Sequence, residues 1–153
     1  MNPRNAISKL SRIGAALIFA VSGFLVPAAA AQDGTGALEV SILGVPSDEG
    51  IVKVGIYDSR AAFDARSTRP EFEVDCWIAR DRCEFVIPDL RHGEYAILAY
   101  HDKNLNGEYD WGIFDRERVG GSNYGHRLWS SPDYDRAKFP HRQTRTAIEI
   151  RLY

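Results

Sequence analysis

In HDKNLNGEYD, residues 101 to 110, oxygen-bearing side chains recur at Asp102, Asn104, Asn106 and Asp110, with Gly107 between the last two. Counted from Asp102, oxygens fall at positions 1, 3, 5 and 9 and glycine at 6, the spacing of the first part of a calcium loop of the EF-hand kind. Alternate side chains of a tightly coiling loop converge on one centre. The glycine permits the reversal, and the carbonyl of Glu108 at position 7 offers a further hard oxygen. Position 12, where such a loop uses a bidentate glutamate, is Ile113, so a substitute carboxylate has to come from Asp115 or Glu117 by a fold-back of the chain. So few carboxylates imply weak calcium binding, roughly 10⁻⁴ to 10⁻³ M. The same residues also spell an Asx-rich turn, in which Asp102, Asn104 and Asn106 bond their own backbone and Gly107 supplies a positive φ. At the level of sequence both readings stand.

The remaining reactive side chains point to less. His92, His101, His126 and His141 are scattered and lack zinc-ligand spacing. A hydrolase built on His101 with Asp102 or Asp110 and Ser122 is the enzymatic alternative, and it requires a base within hydrogen-bond reach of the nucleophile. No nucleophile elbow occurs in the chain, so the main expectation is a non-enzymatic binding module with no catalytic residues. Trp111, Tyr124 and Trp129 are candidates for contact with a protein partner or glycan, or else cap the open end of a core. Cys76 and Cys83, the only cysteines, are expected to pair across a hairpin whose two-residue turn is Ala79 and Arg80.

The elements that must hold these residues read as strands. Period-two alternation recurs in LEVSILGV from Leu38, VKVGIYD from Val52, FEVDCWI from Phe72, CEFVI from Cys83, YAILAY from Tyr95 and TAIEIRLY at the C-terminus. One buried face and one wet face suit antiparallel sheets. Short helical signals, SRAAFDAR after a candidate N-cap at Ser59 and a turn near Pro132 to Ala137, are expected to act as connectors. The expected fold is all-β: a two-sheet antiparallel sandwich with one long loop between His101 and Lys138.

Residues 1 to 31 have the form of a signal peptide: Arg4, Lys9 and Arg12 without an acid, a 14-residue apolar run from Ile13 to Val26, and small residues at Ala29 and Ala31. Cleavage is expected before Gln32 or one residue earlier, with residues 32–153 as a single domain. The run is too short for a spanning helix, which needs about 20 residues, so no membrane span remains after leader removal and the location is periplasmic or secreted. Loss of the leader lowers Lys+Arg from 19 to 16 against 21 Asp+Glu, a net charge of −5. A mildly acidic chain with dispersed arginines offers no basic stripe for nucleic acid.

VGIYDS (54–59), PDLRHGEYAI (88–97), HDKNLNGEYD, ERVGGSN (117–123) and SPDYDRAKF together resemble the bacterial family known as domain of unknown function 2141, over most of the chain beyond the leader. Gly121 stands where that family usually carries an aromatic. The resemblance implies an exported immunoglobulin-like or prealbumin-like sandwich with no assigned activity. It also sets Glu117 beside the loop motif and so favours it over Asp115 as the remote ligand.

Overall fold

The computed structural model describes residues 34–65, 70–110, 112, 116–124 and 132–153. The expected leader, Trp111, Asp115 and Trp129 lie outside them. Among the described residues, eight strands and two short helices follow one another as β1 (Thr35–Leu43), β2 (Ile51–Tyr57), α1 (Arg60–Ala65), β3 (Phe72–Cys76), β4 (Arg82–Arg91), β5 (Gly93–Asp102), β6 (Val119–Gly121), α2 (Tyr134–Ala137), β7 (Phe139–His141) and β8 (Arg145–Arg151). One sheet has the order β4-β1-β8; the other runs β3-β2-β5-β6, with β7 also paired to β5.

Alternation along each strand builds the interior. Leu38, Val40 and Ile42 of β1 meet Val52, Val54 and Ile56 of β2 and Ile97 and Ala99 of β5, and Ile150 and Leu152 close the far side. Burying one face of each sheet against the other removes the apolar sets from water at about 25 cal/mol per Å², which makes this the all-β two-sheet sandwich that the alternation predicts. Every strand pair but one is antiparallel; β1 and β8 run parallel in register from Ala37↔Arg145 to Leu43↔Arg151. Parallel neighbours need a long connection, and here nearly the whole domain supplies it.

Three local expectations change. The turn after β3 is centred on Arg80 and Asp81, one residue beyond the predicted position, with φ of 55° and 63° and Ala79 bridged to Arg82. Consequently Cys76 and Cys83 do not face each other across a hairpin. β3 and β4 belong to different sheets, so the disulfide, with Cα atoms 5.9 Å apart, ties one sheet to the other. The helices also do more than connect. Phe63 of α1 and Tyr134 and Ala137 of α2 join Tyr57, Ala96 and Tyr124 in a second apolar cluster, which leaves β5 buried on both faces at Tyr95, Ala96 and Ile97. Finally, the expected long loop from His101 to Lys138 contains the short strand β6 and the helix α2, and β7 follows directly after it. β6 lies so close to β8 that a Cβ on Gly120 would come 2.4 Å from the Arg151 carbonyl oxygen.

Candidate functional site

β5 ends at Asp102, and β6 begins just after Glu117, so the strand pairing that aligns Tyr100 with Val119 brings the two ends of the acidic loop together. A backbone bond from His101 N–H to the Arg118 carbonyl, 2.9 Å, closes the base of the loop. Above that base the loop side chains bond its own backbone and one another. Asp102 is fully buried; its Oδ1 accepts from Asn106 N–H at 3.1 Å and its Oδ2 from Gly107 N–H at 2.9 Å. Asn104 Oδ1 accepts from the same Asn106 N–H at 3.1 Å, and Asn106 Oδ1 accepts from Glu108 N–H at 2.8 Å. The side-chain amides of Asn104 and Asn106 both donate to Asp110 Oδ2, at 2.9 and 3.1 Å. Leu105 and Gly107, with φ of 60° and 76°, provide the left-handed turns that wind the coil.

Glu117 is the remote carboxylate of this loop. It is buried, and its two oxygens accept from Lys103 N–H at 3.1 Å and Asp110 N–H at 3.0 Å. Burial pushes its carboxyl pKa up, the two backbone N–H groups pull it down, and the charges of Asp102 and Asp110 push it up again, for a net rise. Tyr100 feels the same environment: burial first, then the Asp102 and Glu117 charges, push its phenol up to about 12. It therefore stays protonated and donates to the Gly107 carbonyl at 3.0 Å.

The geometry of the loop is that of the Asx-rich turn. The Asx turns are formed, and they hold Asp102, Asn104, Asn106, Asp110 and Glu117 in one hydrogen-bonded knot. Among the described residues, no group of three or more His, Cys, Asp or Glu side chains is placed to hold a metal ion on its own, so any cation needs the amides and backbone carbonyls as well. Each carboxylate offers about four lone-pair sites, and one N–H per oxygen positions Asp102 and Glu117 without exhausting them.

A part of the site with no signal in the motif is the 44–50 turn between β1 and β2. His101 Nε2 lies 2.6 Å from the Glu49 carbonyl oxygen, and Lys103 Nζ pairs with the Glu49 carboxylate at 3.0 Å. Gly50, at φ +76°, lies against the loop so closely that a Cβ there would come 2.2 Å from the Asp102 carbonyl oxygen. These contacts join segments fifty residues apart, which no local spacing announces.

Ser122, the serine that the hydrolase alternative could add to His101 and the nearby carboxylates, makes its hydrogen bonds elsewhere. Ser122 is fully buried; its Oγ accepts from Ile97 N–H at 2.9 Å and donates to the Ala137 carbonyl at 2.7 Å. His101 is spent on Glu49. Tyr124, a candidate for partner contact, is instead buried: its hydroxyl accepts from Asp133 N–H at 2.7 Å and its ring lies 4.8 Å beneath the Arg136 guanidinium. A Cβ at Gly121 would come 3.2 Å from that ring, so Tyr124 packs close against the position that lacks an aromatic of its own.

Among the described residues no helix is long and apolar enough to cross a membrane. A family model described as an uncharacterized protein conserved in bacteria, DUF2141, matches residues 40–149. No curated protein and no solved structure matches the chain.

Proposed function

The chain belongs to the DUF2141 family of proteins conserved in bacteria, and on that premise we propose that it is an exported, non-enzymatic β-sandwich module whose 102–110 loop takes up calcium weakly. The observation that supports this reading is one hydrogen-bonded loop in which Asp102 and Glu117, from its two ends, accept from loop backbone N–H groups and Asp110 accepts from the Asn104 and Asn106 side-chain amides. Lys103, inside the loop, carries its charge to Glu49. Burial chiefly raises the Glu117 carboxyl pKa, and the Asp102 and Asp110 charges add to the rise; a divalent cation would offset that repulsion, and hard oxygens are its natural ligands. Trp111 and Trp129 are the aromatics this reading assigns to a protein or glycan partner.

The test is thermal unfolding of the exported chain, recovered from the periplasm or medium. With calcium at about ten times a millimolar dissociation constant, mass action stabilises the folded state by roughly 1.4 kcal/mol, a rise of a few degrees in Tm. Asp102→Ala combined with Asp110→Ala removes the rise. An unchanged wild-type Tm in calcium would defeat the proposal.

A further inference from the structure

Asn106 and Gly107 are the one Asn-Gly pair in the sequence, and both are exposed in the acidic loop. An asparagine followed by glycine is open to an intramolecular acyl transfer, because no Cβ shields the next backbone nitrogen. The Gly107 nitrogen attacks the side-chain carbonyl carbon of Asn106. A C–N bond forms, the bond to Nδ2 breaks, and ammonia leaves with the proton that the Gly107 nitrogen gives up. Water then opens the five-membered imide at one carbonyl or the other, leaving an aspartate at position 106 or its β-linked isomer.

Three hydrogen bonds of the folded loop oppose the first step. Asn106 Oδ1 accepts from Glu108 N–H at 2.8 Å and Nδ2 donates to Asp110 Oδ2 at 3.1 Å, so the planar amide is held at both ends and becomes tetrahedral only by giving up those bonds. The departing nitrogen needs a proton, and an ionised carboxylate partner supplies none. The nucleophile is held as well, since Gly107 N–H donates to Oδ2 of the buried Asp102 at 2.9 Å. We infer that Asn106 is a site of spontaneous deamidation, that the loop's own hydrogen bonds restrain it with Asp110 as the main restraint, and that the reaction undoes the loop once it occurs. The product puts a carboxylate where an amide had donated to Asp110, so a donor is lost and two like charges meet. The β-linked isomer also adds a carbon to the main chain, which carries Gly107 N–H away from Asp102. None of this involves a cation, so the inference is independent of the calcium reading.

The exported chain is held in EDTA in mildly alkaline buffer, folded or in guanidinium chloride, and sampled over time. Trypsin releases residues 104–116, which follow Lys103 and end at Arg116, and mass spectrometry reads the exchange of NH2 for OH at position 106. The expected rate is about tenfold lower in the folded chain than in denaturant, one hydrogen bond's worth of barrier. Folded Asp110→Ala, its fold checked by near-UV circular dichroism, reacts several-fold faster than folded wild type. Gly107→Ala slows the reaction in denaturant, where its methyl group shields the nitrogen, and Asn106→Asp lowers Tm as the product does. Equal rates in the folded chain and in denaturant overturn the inference, as does a folded Asp110→Ala rate equal to that of wild type, or an unchanged Tm in Asn106→Asp. Because these measurements exclude calcium, their failure leaves the calcium reading to its own test.

Discussion

Glu117 shows how one side chain can be structural and responsive together. Its folded pKa is raised above the ordinary 4.5, by burial first, with Asp102 and Asp110 adding to the rise against the opposing Asp110 and Lys103 N–H bonds. The folded protein therefore holds this proton more tightly than the unfolded chain does. That contribution to stability is complete below about 4.5 and is lost as pH climbs through the raised folded value. In calcium-free urea titrations from roughly pH 4 to 7, the wild-type midpoint should carry a downward component with rising pH that Glu117→Gln lacks. Identical slopes for the two proteins would refute it. The motif residues Asp102, Asn104, Asn106, Gly107 and Asp110 were legible as a unit because their spacing is local. Ser122 and Tyr124 were not: their burial comes from α2 and the Asp133 to Ala137 carbonyls and amides, which approach through folding.

At the scale of elements, the alternation is plainest where one face is buried over five residues or more, as in β1 and β2. β6 and β7 have three residues each, too few to display a period, and two of the three in β6 are glycines. The turn following β3 falls one residue beyond its expected position: Asp81 is a usual turn residue, Arg80 is not, and both adopt positive φ. Left-handed backbone at non-glycine residues is costly. Asp81→Gly should therefore stabilise the protein by about 0.5 to 1 kcal/mol, measured as a higher urea midpoint. The exposed Asp81 side chain gives up little in return, and its backbone bond with Val45 survives the change.

On the scale of the whole molecule, the Cys76–Cys83 bridge joins two sheets that share no strand. Replacing both cysteines by alanine should cost on the order of 2 to 3 kcal/mol by the chain-entropy relation, read from chemical unfolding. The calcium response should persist, since the loop is anchored by β5, β6 and the 44–50 turn rather than by β3 or β4. Alternation and motif spacing, both functions of neighbouring residues, determined on their own the all-β class, the six longer strands and the oxygen pattern of the loop. Only the tertiary structure decided that β8 lies parallel to β1, that the disulfide crosses between sheets and that Glu49 and Gly50 pack against the loop. Those outcomes depend on which distant surfaces bury each other, and a pattern that repeats every second residue says which face turns inward without naming its partner.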